Sequence, residues 1–260
     1  MDFDNIEHGS FRKNYLPFGE MILKYIKTYN YHLGDLSSKV ALVFDDLGDY
    51  NRGINYHKRD LAIAIKLLGE NHPEVGNSYN NIALSYLYLK DAENSLFFMR
   101  KSLHIFENDS DSDILDLAMT YSNISLCYRL AEDYPKSLEY ILSAIAIREE
   151  NMSSDDPDLA QSYHNIAVSY KDLERYEESL EFHLKAIRIR ELKLKLSNPH
   201  LAESYEGIAI VYFFLNQFNL AESFINKSVK INQEMLPKNH PDLQDSLSWL
   251  TKIQNSSPSN

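Results

Sequence analysis

Nine histidines, one cysteine and a run of aspartates are the residues of this chain that could support metal or nucleophilic chemistry. Zinc needs thiolate or imidazole ligands at close spacing, and neither Cys-x2-Cys nor His-Glu-x-x-His occurs. His72 and His240 each stand directly before a proline, a place suited to helix capping or loop packing. His57 and His183 share one column of helix B of the repeat set out below, so they read as core. Asp109, Asp111 and Asp113 alternate as in a calcium loop. That loop needs Gly at its sixth position and Glu at its twelfth, where Ile114 and Thr120 stand, so the run reads as a solvated loop. Cys127 sits beside Tyr128 with no basic neighbour in sequence to lower its pKa, which describes a small buried thiol. No glycine-rich phosphate loop occurs. No catalytic residue, metal or cofactor is expected, and the chain does not read as an enzyme.

The chemistry that does recur is amide chemistry. Asn81, Asn123 and Asn165 are 42 residues apart, and Gly207 follows at the same interval. Asparagine is a mediocre helix former, so three copies at one helical position need a reason. An amide offers a donor and an acceptor, which suits the backbone of a bound peptide. Each such bond contributes about 0.5–1.5 kcal/mol. Micromolar binding needs about 8 kcal/mol, so neighbouring side chains must add to the amides. The competing role for the same residues is bonding to the adjacent helix.

These asparagines are positioned by a repeat. The stretches at 71–86, 113–128, 156–170 and 198–212 align, and Pro73, Pro157, Pro199 and Pro241 mark a period of 42. The aligned columns read Tyr79, Tyr121, Tyr163, Tyr205, then Ile82, Ile124, Ile166, Ile208, then Ala83, Ser125, Ala167, Ala209, then Tyr86, Tyr128, Tyr170, Tyr212. Spacings of 3, 4 and 7 put each set on one helical face, here called helix A. Helix B opens at Tyr50, Ala92, Tyr134, Tyr176 and Phe218, with Gly53, Ser95, Ser137, Ser179 and Ala221 three residues on. Such a hairpin cannot bury its apolar face alone, and stacking on a copy of itself solves this.

Composition agrees. An apolar fraction of 44% supports a folded core, and only 8 Gly and 8 Pro in 260 residues favour long helices over a turn-rich β-protein. A net charge of −12 argues against a duplex nucleic-acid binder or an anionic membrane surface. With one cysteine no intrachain disulfide can form, and no stretch reaches the length of a membrane span. The expectation is a cytoplasmic protein.

The columns resemble the tetratricopeptide repeat (TPR). The usual unit is about 34 residues. The extra 8 residues here are close to two helical turns, so they leave the packing face unrotated. Leu68, Gly69, His72 and Pro73 form a joint that is similar to that of the 42-residue repeats of kinesin light chains, and Leu236, Pro237, His240 and Pro241 repeat it. The resemblance implies an all-α fold, a right-handed α-solenoid of stacked helix-turn-helix hairpins. The expected order is a mobile segment 1–16 and a capping helix 17–30 that starts at Pro17 and buries Ile22, Tyr25 and Ile26. Five repeats follow at 31–72, 73–114, 115–156, 157–198 and 199–240, then a capping helix 241–254 and a tail 255–260.

It also implies a peptide-binding groove along the helix A face. The groove residues would be Asn77, Asn80, Asn81, Leu84, Tyr88, Ser122, Asn123, Leu126, Arg129, His164, Asn165, Val168, Lys171 and Phe213. Arg129 and Lys171 share one slot, so the ligand would carry an acidic group near them and an apolar side chain near Phe213. Trp249, in the asparagine slot of the last helix, would close the groove's end. The implied function is an adaptor that holds a protein or peptide partner, without nucleic acid or membrane. Two alternatives stay open, a peptide-sensing regulator and a secreted bacterial effector that binds a host protein. Self-association is open as well.

Overall fold

A computed structural model describes residues 9–25, 30–109, 113–193 and 198–256, and the side chains of these except for 9–15 and Tyr25. All regular structure among them is α-helical: α1 (Gly9–Tyr25), α2 (Tyr31–Asp46), α3 (Tyr50–Leu68), α4 (Pro73–Tyr88), α5 (Ala92–Asn108), α6 (Ile114–Leu130), α7 (Tyr134–Asn151), α8 (Pro157–Asp172), α9 (Tyr176–Lys193), α10 (Pro199–Phe214), α11 (Phe218–Met235) and α12 (Pro241–Ser256). The helices follow one another as hairpins, helix A then helix B. The chain divides into two compact units, Met1–Asp133 and Tyr134–Asn260.

Local chemistry sets the helix starts. Proline at the first turn opens α4, α8 and α10, where its missing N–H would have had no partner. The residue before each proline caps it. The amides of Glu74, Asp158 and His200 donate to His72, Asp156 and Asn198 respectively. His240 accepts from the Asp242 amide in the same way at α12. Asp113, the last of the aspartate run, caps α6 by accepting from the Leu115 amide.

Helix A ends on a left-handed residue in every hairpin. Gly48, Lys90, Glu132, Glu174 and Asn216 all have φ between 58° and 75°. That conformation lets the next amide bond back into the helix, as from Asp91 N–H to the Tyr86 carbonyl at 3.0 Å. The turn is therefore held by backbone geometry, and the sequence pattern gave no sign of it beyond Gly48.

The periodic columns form the core. Ile82, Ile124, Ile166 and Ile208 are all buried, as are Ala83, Ser125, Ala167 and Ala209. Full burial of one such isoleucine contributes about 2 kcal/mol. The small residue of helix B lets the hairpin close. Ser95 and Ser179 donate to the carbonyls of Ala83 and Ala167 at 2.8 and 2.7 Å. Three helix A tyrosines reach back to a glutamate on the preceding helix B. Tyr121 donates to Glu107, Tyr163 to Glu149 and Tyr205 to Glu191. Burial, then the neighbouring Glu149, pushes the Tyr163 phenol up to about 12.

The N-terminal helix differs from expectation. It begins at Gly9, and Pro17 lies inside it. The buried contacts come from Gly19 and Leu23, and Leu23 packs with Leu33, Val40 and Phe44. Ile22 instead faces outward with Phe18 and Met21. Proline inside a helix forfeits one amide bond, so its presence misplaced the start. Residues 1–8, Ile26 and 257–260 lie outside the described residues, as does the Tyr25 side chain.

Candidate functional site

Within the first unit, Asn77 and Asn81 of α4 line a cavity of about 130 Å³ together with Glu74, Ser78, Asp35 and Asp60. Asn80 is buried and accepts at Oδ1 from Asn123 Nδ2 of α6 at 2.8 Å. The Asn123 amide is therefore partly used as a clasp between successive helix A segments. Ser122 is buried too and donates to the Ala118 carbonyl of its own helix. Leu84 and Leu126 are half-buried, and Arg129 is exposed. Tyr88 is 61% exposed and stacks on Tyr50 with ring centroids 5.2 Å apart.

Within the second unit, Asn165 is half-buried and accepts from Gln161 Nε2, one turn back on α8, at 3.1 Å. Val168 is half-buried. The Lys171 ammonium is 3.1 Å from the Asp172 carboxylate, so part of its charge is answered within the helix. Phe213 packs edge-on against Phe214, Phe218 and Trp249. Trp249 lies in the last apolar cluster with Lys252 over its ring at 4.3 Å. Arg129 and Lys171 belong to different units.

A cavity of about 730 Å³ lies in the second unit, where α8, α10 and α12 begin. Arg190 of α9 forms its floor. The guanidinium is buried and donates to Gln161 Oε1 at 2.6 Å, the His200 carbonyl at 2.7 Å and Ser204 Oγ. Glu203 Oε2 is 3.6 Å away. Burial pulls the Arg190 pKa down and Glu203 pushes it back up. Burial raises Glu203 in turn, but the bond from His164 and the charges of Arg190 and His200 outweigh it and hold the carboxyl at about 2. Glu206 accepts from Ser246, yet burial and then Asp245, Asp242 and Glu203 raise its pKa. Asn232 completes the floor, donating to Ser246 at 3.1 Å.

Gln161, Glu203 and Glu206 escaped the sequence reading although the signal was present. They are the counterparts, 84 or 126 residues on, of Asn77 and Asn80 in the second repeat. Arg190 carried a signal as well: Arg148 stands 42 residues before it and donates to Ser162 as Arg190 does to Ser204. Its burial depends on α9 packing against α8 and α10.

His164 and His183 form a second buried feature. His164 Nε2 is 3.2 Å from Glu203 Oε1, and its ring meets His183 edge-on at 5.3 Å. Neither nitrogen of His183 has a partner among the described residues. Burial, then His164, Lys171 and Arg190, drives its pKa well below 6.5. A neutral buried imidazole makes stability fall in acid. Below pH 6.5 the unfolded chain takes up a proton that the folded chain refuses, at a slope of up to about 1.4 kcal/mol per pH unit. The variant His183→Ile carries the residue found at this place in adjacent repeats, Ile141 and Ile225. Urea unfolding at pH 7 and pH 5 should therefore show a smaller acid loss for His183→Ile than for wild type. Equal losses would assign the acid sensitivity to other groups.

His57, in the same column, is also buried but bonds Asp45 at 3.0 Å, and Asp45 accepts from Ser85. Cys127 is buried with Sγ 2.9 Å from Ser95 Oγ, and burial pushes the thiol up to about 11. Among the described residues no His, Cys, Asp and Glu cluster could hold a metal ion. None of their helices is long and apolar enough to cross a membrane.

A family model described as tetratricopeptide repeat matches residues 33–108, 116–192 and 169–234. No curated protein matches the sequence. Among solved structures, the chain is similar to BtubC (BKLC) from P. vanneervenii, with a TM-score of 0.69, 16% identity, and coverage of 92% of this chain and 95% of that one. It is similar to the TPR-like repeats of a provisionally named kinesin light chain from Podospora anserina, at 0.65 and 17%, covering 79% and 98%. The apo quorum sensor NprR from B. thuringiensis matches at 0.73 and 18%, covering 97% of this chain and 66% of that one.

Proposed function

Because the chain belongs to the tetratricopeptide repeat family, we propose that it binds an extended segment of a protein partner along its helix A face and carries out no chemistry of its own. The observation that carries this reading is the cavity of about 730 Å³ among the helix A segments of the second unit. A concave site of that volume is the size of a side-chain or small-ligand pocket. Its floor is already ordered by the bonds of Arg190, so a partner need not pay to order it. Asn165 stands one turn along α8 from Gln161 and extends the polar strip. In the first unit Asn77 and Asn81 supply the corresponding strip. A reducing cytoplasm suits the single thiol.

Affinity capture with the full chain tests this, run beside the double variant Asn165→Ala, Asp245→Ala. Two lost hydrogen bonds of about 0.5–1.5 kcal/mol each should weaken the captured partner by roughly 5- to 100-fold. A partner held with equal affinity by both proteins does not use this face.

A further inference from the structure

We propose that the outer face of α5 is a second docking site, which takes a partner segment offering a carboxylate beside an apolar side chain. The site is a cavity of about 730 Å³ in the first unit, lined by Tyr79, Phe97, Arg100, Lys101 and His104. It lies mainly along a helix B, with Tyr79 contributed by α4, and shares no lining residue with the cavities described on the helix A face.

The repeat itself identifies what is unusual here. Phe97 corresponds to Asn55, Glu139, Glu181 and Ser223 in the other repeats, all polar. The hairpin therefore does not need an aromatic ring at this place for its own packing, and Phe97 is 54% exposed. An exposed aromatic ring next to basic side chains has the composition of an interface anchor.

The same exchange removes the ion-pair partner of the lysine beside it. In α9 the matching pair is Glu181 and Lys185, an ion pair of 2.8 Å one turn apart. In α5 the glutamate is replaced by Phe97. The Lys101 ammonium lies over the rings of Phe97 and Tyr79, 5.3 and 5.5 Å from their centroids. No carboxylate among the described residues is within ion-pair distance of it. Arg100 donates to the Tyr128 hydroxyl at 3.0 Å, and His104 is bonded to Asn108. A partner carboxylate would thus replace the glutamate that the other repeat supplies internally, while an apolar side chain covers Phe97.

Glu70 and Glu93 also line this cavity. They repel an extended polyanion, so nucleic acid is a poor fit and a short segment with a single acidic group is favoured. The overall charge of −12 acts in the same direction.

Phe97→Glu is the informative variant, because it restores the pair present in α9 and so should leave the fold intact. A phage-displayed random dodecapeptide library is first depleted on the full-length Phe97→Glu protein, then selected on the wild-type chain. Circular dichroism and unfolding of the variant should match wild type. The expected clones carry Asp or Glu next to an apolar residue, and Lys101→Glu should weaken them by at least about tenfold. They should bind the Asn165→Ala, Asp245→Ala variant like wild type. Recovery of no clone after depletion overturns the proposal, as do clones without a carboxylate or clones indifferent to Lys101→Glu.

Discussion

Completing the asparagine series with Gly207→Asn will destabilise the second unit by about 2–3 kcal/mol, even though asparagine occupies this slot in three other repeats. A Cβ at Gly207 would overlap the His183 ring. That ring is fully buried and has no exposed space to move into. In the fourth repeat, then, the imidazole from α9 fills the volume where the next asparagine would start. The two residues are a compensating pair. Urea unfolding of the full chain should show the loss, and His183→Ala should rescue it. The double variant should be more stable than the sum of the single changes by about 1–2 kcal/mol. Strict additivity would mean that His183 and Gly207 do not compete for one volume.

Arg190→Ala should cost about 3 kcal/mol. Among the described residues the guanidinium is the only partner of Gln161 Oε1, and it also serves Ser204 and the His200 carbonyl. Removing it leaves the buried Ser204 Oγ and the part-buried Gln161 and His200 acceptors without this donor, and takes the arginine charge from beside Glu203. Glu203 is 47% exposed, so water screens part of that charge and the acceptors account for most of the loss. Arg190→Lys should recover only a fraction, because one ammonium cannot reach three separated acceptors as a planar fork does. Thermal or urea unfolding within about 0.5 kcal/mol of wild type would show that water replaces the guanidinium at no cost. The cavity floor would then be softer than its bonds suggest.

Both predictions concern residues that the periodicity alone could not rank. His183 stands in a column with His57, Met99, Ile141 and Ile225, and the sequence reading correctly placed it in the core. The column does not reveal that His57 has a carboxylate partner while His183 has none. That difference arises because Asp45 projects from α2 toward His57, and the second unit supplies no equivalent carboxylate to His183. The asparagine series has the same history. Position 42 apart placed Asn81, Asn123 and Asn165 on one helical face, but only packing joined Asn123 to Asn80 and Asn165 to Gln161.

The repeat of 42 by itself determined the helical hairpins, their proline and histidine caps, and the isoleucine and small-residue columns of the core. These follow from local propensity and from a period that returns the same side chains to the same face. Tertiary structure decided which polar groups on that face are consumed internally and which line a cavity. Hydrogen-bond partners lie on different helices, and distances between helices are set by how whole side chains interdigitate. For the same reason Arg190 became the buried floor of a cavity of about 730 Å³ in the second unit. Phe97 became an exposed ring where the repeat elsewhere places a polar residue.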